Sequence, residues 1–290
     1  MNYSIIILAR NEAHGIRDTL ISVANQTITP TVCTAIDDES TDNTANIIKE
    51  FESKFSFIKY LKNTSNNTIS YSLGGHVVDL FNLGVKKLVN MGISSDFIVK
   101  MDADIAFEAE FIEKIFRKID TLEDIGIVSG TPFYIENDRI KYEYSHDWHT
   151  NGQFKIYNRK CLEDIGGLKR SLGWDTADNV VAISRGWKTL VYRDITYKMF
   201  RKVGGKFSLV KGKINQGIGC YLLGYNFLYF VIKIIHNIFK VPYFIGSWYL
   251  FYGYCEAVIN RYDKILSKEQ TLKLRKLLWK SFFKKFKNRD

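Results

Sequence analysis

Apolar residues recur along the first half of the chain in short unbroken runs. Tyr3–Leu8, Thr31–Ile36, Phe57–Leu61, Phe97–Lys100 and Ile125–Thr131 are rich in β-branched and aromatic residues, and each predicts a buried strand. Between them, Asn11–Gln26, Ser40–Lys54, His76–Asn90 and Phe111–Ile119 carry apolar positions at helical spacing, for example Ile16, Leu20 and Val23. Ser40 or Thr41 is expected to cap the second of these helices. Strands alternating with helices predict an α/β fold with a mainly parallel central sheet. Such sheets bind ligands beyond the carboxyl ends of their strands.

The pattern changes near residue 200. Gly204-Gly205 and the basic stretch Lys206–Lys213 read as a loop. Tyr221–Phe239 and Tyr243–Tyr254 are apolar and aromatic, but Lys233 and His236 interrupt the first and the second is short. Both are expected to be interfacial or re-entrant helices rather than spans, which need about 20 mostly apolar residues. In the last segment, Lys273, Lys276, Lys280, Lys284 and Lys287 fall on one stripe of a helical wheel. Leu274, Leu277, Leu278, Phe282 and Phe286 lie away from it. That helix either packs on its own domain or lies on anionic lipid, and the aromatic helices before it favour lipid.

Composition sharpens this division. Of 290 residues, 46% are hydrophobic and 25% charged, which describes a folded chain with a substantial core. The net charge of +10 is concentrated at the end, where residues 268–290 hold nine Lys or Arg against Glu269 and Asp290. The remainder is nearly balanced. An anionic membrane surface is therefore the expected partner of the tail, and nucleic acid is not, because the basic residues are interleaved with an apolar helix face. Cys33, Cys161, Cys220 and Cys255 form no C-x-x-C pair, so a reducing compartment is expected. The run Ile5–Ala9 is too short for a signal peptide. The expected location is the cytoplasmic face of the cell membrane, peripheral or monotopic.

Three predicted strands end on polar or acidic clusters: Ala9-Arg10-Asn11-Glu12, Asp37-Asp38-Glu39-Ser40 and Asp102-Ala103-Asp104. Two carboxylates one residue apart suit a hard divalent cation, Mg²⁺ or Mn²⁺, which shares its oxygen ligands with substrate phosphates. An acid at the second strand end can accept from a base N–H or a ribose hydroxyl. Ser40 and Asp42 can meet the capping needs of the helix that follows, leaving Asp38 for a ligand. His146-Asp147-Trp148-His149 has metal-like spacing, yet with Tyr142 and Tyr144 beside it an aromatic wall for an acceptor sugar fits better. Asn151-Gly152-Gln153-Phe154 borders the same acceptor region. Gly74-Gly75 is expected to let the backbone pass close to a donor.

Ser4–Glu12, Ser22–Thr27, Asp37-Asp38-Glu39-Ser40-Thr41-Asp42 and Asp102-Ala103-Asp104, in that order and spacing, resemble glycosyltransferase family 2. The resemblance covers residues 3 to about 200. It implies the GT-A fold over residues 1–205, and the aromatic and basic residues after it are expected to form a membrane-associating helical region over 206–290. The resemblance also implies inverting transfer from a UDP- or GDP-sugar, and the aromatic helices and basic tail point to a lipid-linked or glycan acceptor. By that resemblance Ala9, Arg10, Glu12 and Gly75 line the donor pocket and Asp38 contacts the base. Asp102 faces ribose or metal, and Asp104 holds the metal on the diphosphate. Gly173-Trp174-Asp175-Thr176-Ala177-Asp178 resembles the acidic motif near the acceptor, with Asp178 preferred to Asp175 as general base. Its local alternative is a helix start capped by Asp175. Where many relatives carry His two residues before an Arg, this chain has Met199 before Arg201, so Arg201 or Lys202 is expected to contact phosphate directly. A polyprenyl-phosphate sugar synthase and a non-catalytic scaffold are the alternative readings.

Overall fold

The structure, a computed structural model, describes residues 1–64, 74–201, 209–239 and 241–287, the last three without their side chains. The strands are β1 (Tyr3–Ala9), β2 (Val32–Asp37), β3 (Ile58–Lys62), β4 (Phe97–Asp102), β5 (Ile105–Ala106), β6 (Ile125–Glu136), β7 (Arg139–Tyr142), β8 (Phe154–Asn158) and β9 (Lys188–Met199). The helices of the first part are α1 (Ile16–Ala24), α2 (Thr44–Lys54), α3 (Gly75–Asn90), α4 (Phe111–Ile119), α5 (Arg159–Asp164) and α6 (Trp174–Ser184). The C-terminal part adds α7 (Leu209–Leu222), α8 (Phe227–Ile238), α9 (Ile245–Ile259) and α10 (Lys268–Lys287).

The strand order is β3-β2-β1-β4-β8-β6-β9-β5, with β7 paired to β6. β1 to β4 run parallel to one another, with Ala9 opposite Asp37 and Leu8 opposite Asp102. This register sets the ends of β1, β2 and β4 side by side. The sheet is mixed: β6 and β9 also run parallel, but β8 is antiparallel to both β4 and β6, as β7 is to β6 and β5 to β9. A parallel return needs a crossover of a dozen or more residues. After β6 the chain turns instead through Asn137 and Asp138, both at positive φ, and pairs back at once.

Side chains of β1 alternate across the sheet. Ile5, Ile7 and Ala9 pack with α1, α2 and α4 in one core, and Ile6 packs with α3, α5 and α6 in the other. Burial on both faces is why these strands read as continuous apolar runs. Leu223, Leu266, Leu274 and Leu278 of the C-terminal part belong to that second core. The apolar stripe of α10 is thus turned inward, not toward lipid, and its Arg275 donates to the Gly224 carbonyl. α7 and α9 cross so closely that a Cβ on Gly217 would lie 2.0 Å from the Leu250 carbonyl oxygen. Only glycine permits that approach.

Two local expectations shift. Helix α1 begins at Ile16, because Asn11 takes φ 53° and the chain turns before the helix starts. The N-cap of α2 is Asn43, while Asp42 accepts from the Thr44 N–H. Leu209–Lys213, expected in a loop, opens α7; Gly204-Gly205 lies outside the described residues. Among the described residues no helix is long and apolar enough to cross a membrane.

Candidate active site

The loop after β1 is shaped by the segment before α2. The N–H groups of Asn11, Glu12 and Ala13 donate to Ser40 Oγ, Thr44 Oγ1 and Asp42 Oδ2 at 3.0, 2.8 and 3.0 Å. Asn11 Oδ1 in return accepts from the Thr41 N–H at 2.8 Å. The polar residues of 40–44 therefore serve as a mould that fixes Arg10 and Glu12. Ala9 closes the strand, its carbonyl accepting from the Asp38 N–H at 2.8 Å.

The neighbouring acids at the end of β2 have separate partners. Asp37 turns to Tyr60 and the Ser40 N–H. Asp38, nearly buried, receives Asn63 Nδ2 at 2.9 Å, His76 Nε2 at 2.6 Å and Arg10 Nη1 at 3.3 Å. Asn63 and His76 are members of this cluster that sequence reasoning missed, since polar residues after β3 and at a helix start carry no local signal. Gly75 packs instead against the Arg170 side chain, whose Nε a Cβ there would meet at 3.3 Å.

Arg201, just beyond β9, ties the first and third clusters together. Its guanidinium donates to Glu12 and, through Nε and Nη2, to Asp104 Oδ2 at 3.0 and 2.9 Å. Met199, at the position where His was looked for, is buried in the core opposite Ile105. Asp102 Oδ1 receives the buried Lys100 ammonium at 2.5 Å, and the same ammonium donates to the Gly152 carbonyl. Asp102 and Asp104 offer only oxygen donors, which fits Mg²⁺ or Mn²⁺. Among the described residues no three His, Cys, Asp or Glu side chains stand together as a metal site. A cation here would take its further ligands from substrate oxygens and water.

Gly152 links this edge to α6. A Cβ on it would lie 3.2 Å from the Trp174 ring and 3.3 Å from Asp175 Cβ, so the close fit requires glycine. Gly173 starts α6 at φ 82°, and Asp175 sits in the first turn, where no side-chain cap bond forms. Asp178, one turn on, faces inward. Lys155 Nζ donates to its two oxygens at 2.8 and 2.7 Å, Tyr157 Oη at 2.6 Å and the Asn179 N–H at 2.6 Å. Burial pushes the Asp178 carboxyl up and the Lys155 ammonium down, each opposed by the other. Lys100 and Lys155 are register partners on β4 and β8, and both ammonium groups lie over the Trp174 ring. Their signal was available: a lysine inside an otherwise apolar strand needs a buried partner.

Asp175 opens on a cavity of about 650 Å³ between the start of α6, segment 144–149, α7 and α8. Tyr144, His146 and Trp148 form its aromatic wall, with His146 stacked on Trp148 at 5.7 Å. His149 meets Thr176 Oγ1 at 2.9 Å, and desolvation lowers it to about 4, which keeps it neutral near pH 7.

Residues 4–74 match the family described as Glycosyl transferase family 2. A 4,4'-diaponeurosporenoate glycosyltransferase of Staphylococcus haemolyticus strain JCSC1435 is 30% identical over 181 residues, 62% of this chain and 43% of that protein. The chain thus spans less than half the length of this curated relative. Among solved structures, S. aureus TarS 1-349 in complex with UDP-GlcNAc aligns with TM-score 0.56 at 18% identity, over 77% of this chain and 67% of that one. The mannosyltransferase PcManGT from Pyrobaculum calidifontis, in complex with GDP-Man and Mn²⁺, aligns with TM-score 0.57 at 13% identity, over 99% and 82%. With the strand-end carboxylates set on this mixed sheet, the chain has a GT-A-like fold, and its residues 4–74 are similar to glycosyl transferase family 2.

Proposed function

We propose that the protein moves a sugar from a UDP- or GDP-linked donor to a lipid-linked or glycan acceptor, with inversion, at the cytoplasmic membrane surface. The observation that carries this reading is a row of ion pairs along one edge of the sheet. Arg10 pairs with Asp38, Arg201 with Glu12 and Asp104, and Lys100 with Asp102. The neighbours bound to UDP-GlcNAc and to GDP-Man with Mn²⁺ support a donor of this class.

In this reading Asp38, with Arg10, Asn63 and His76 around it, holds the nucleoside. Asp102 and Asp104 hold the divalent cation, which neutralises charge growing on the leaving diphosphate. Arg201 is already placed beside Asp104, and its planar guanidinium can donate to phosphate oxygens. Asp175 takes the proton of the acceptor hydroxyl. It replaces Asp178 in that role, because the Asp178 carboxylate is buried under Lys155 and Tyr157 with no opening toward a substrate.

Membrane association is supported by exposed apolar surface rather than by α10. Phe239 and Ile259 are each 77% exposed, Phe244 70% and Trp248 64%, on α8, α9 and the turn between them. Large apolar residues gathered on two short helices are a docking surface for lipid.

The test is a donor hydrolysis screen. Purified protein is incubated with UDP-, GDP- and dTDP-sugars in Mn²⁺, Mg²⁺ or EDTA, and released nucleotide is measured. Metal-dependent release from one donor is expected, reduced at least about a hundredfold in Asp104→Ala. No release, with no thermal shift by UDP or GDP plus Mn²⁺, would leave a scaffold. For the membrane part, the protein should float with anionic liposomes, and its absence from the floated fraction would remove that part alone.

A further inference from the structure

The cavity at Asp175 has an uneven charge. Among the described residues its lining holds one carboxylate, Asp175, and two lysines brought in by the C-terminal helices, Lys213 of α7 and Lys233 of α8. Lys213 Nζ donates to Asn237 Oδ1 at 2.6 Å. Lys233 is half-buried and meets no carboxylate among the described residues. Its ammonium lies 5.2 Å from the centre of the Tyr225 ring and 3.4 Å from the Cys220 Sγ. A cation drawn out of water without a counter-ion is costly, so the site is prepared for an anion.

The lining also holds the apolar Leu172, Leu209, Leu223 and Leu278, beside the polar Ser145, Thr176, Asn215 and Gln216. The helix that supplies Lys233 also carries Phe227, Leu228 and Ile235 exposed at its surface. The cavity therefore combines a cationic spot and an apolar wall beneath a helix with an exposed apolar face.

We propose that this cavity binds an amphiphilic acceptor through a phosphate or carboxylate, with Lys233 as counter-ion, and so presents the acceptor's hydroxyl to Asp175. The last clause rests on the transferase reading; the anion site does not. Lys233 is a specificity residue here, acting on binding of the acceptor.

The test uses the full-length protein and dodecyl phosphate below its micelle concentration, with binding followed by titration calorimetry. Dodecyl maltoside supplies the same tail without the charge, and inorganic phosphate supplies the charge without the tail. The wild type should bind dodecyl phosphate more tightly than either control. Lys233→Met should weaken it roughly tenfold to a hundredfold, the effect of losing a charge-assisted contact, and Lys233→Arg should restore most of it. Melting curves of both variants separate loss of the site from loss of the fold. Equal binding of dodecyl phosphate by wild type and a folded Lys233→Met overturns the proposal. So does inorganic phosphate binding as tightly as dodecyl phosphate, because the apolar wall then contributes nothing. Lys233-dependent binding in a protein that releases no nucleotide from any donor keeps the anion site and removes the transferase reading. Nucleotide release with Lys233-independent binding does the reverse.

Discussion

The sheet edge proposed to hold the donor and the cavity proposed to hold the acceptor differ in how their charges are kept. At the edge each carboxylate has a fixed partner: Arg201 for Asp104 and Glu12, Lys100 of the same strand for Asp102, and Arg10 with the His76 ring for Asp38. Every acid there is oriented before a substrate arrives, which is the preorganisation that stabilises developing charge at little cost during reaction. In the cavity, Lys233 has no carboxylate beside it and Asp175 takes no ion pair among the described residues. The same contrast recurs inside α6, where Asp175 and Asp178 are one turn apart. Asp178 is locked by Lys155, Tyr157 and the Asn179 N–H, and Asp175 faces open space.

Substituting the two acids of α6 is the strongest way to break that contrast. Asp175→Asn should lower kcat by about 10² to 10⁴, the range for a lost general base, with a melting temperature close to wild type. Asp178→Asn should act mainly on the fold. It leaves the buried Lys155 ammonium without its counter-charge, a defect of about 3–5 kcal/mol, visible as a large fall in the denaturation midpoint. Replacing the pair together, Lys155→Met with Asp178→Leu, should recover much of that stability, because the uncompensated charge is gone. If Asp178→Asn instead kept its midpoint and lost kcat, the roles assigned here would be exchanged.

The donor edge was legible because its residues stand at the ends of apolar runs, where a parallel sheet gathers them: Asp38, Asp102 and Asp104 needed only the strand pattern. The partners that fix them come from far along the chain, as Arg201 does for Glu12, and spacing cannot reveal such contacts. The hairpin at Asn137-Asp138 carries a turn signal, but it accounts for β7 alone; the sheet is mixed because β8 enters antiparallel between β4 and β6, and spacing does not show where a strand inserts. The reading of α10 went astray for a different reason. A helical wheel shows that Leu274 and Leu278 share a face, but lipid and a protein core are equally apolar, so the wheel does not say which one covers it. Here α6 and the second core cover it.

A smaller effect sharpens the comparison through pH. His149 borders the cavity, where Asp175 favours its charged form and Lys155 and Lys233 oppose it; desolvation dominates and lowers it to about 4. In the unfolded chain the ring protonates near pH 6.5. Between these values the unfolded state binds a proton that the folded state refuses, so this contribution to stability is complete above about pH 6.5 and declines as pH falls toward 4. Its total is at most about 3 kcal/mol. Carboxylates elsewhere also lose their partners on acidification, so the wild-type slope alone does not isolate the histidine. His149→Gln keeps a polar group near Thr176 and removes the titration. Its melting temperature should therefore fall less steeply between pH 6.5 and 4.5 than that of the wild type. Identical slopes would mean that the ring is already solvated, and that the cavity around Asp175 is wetter and less selective than its lining indicates.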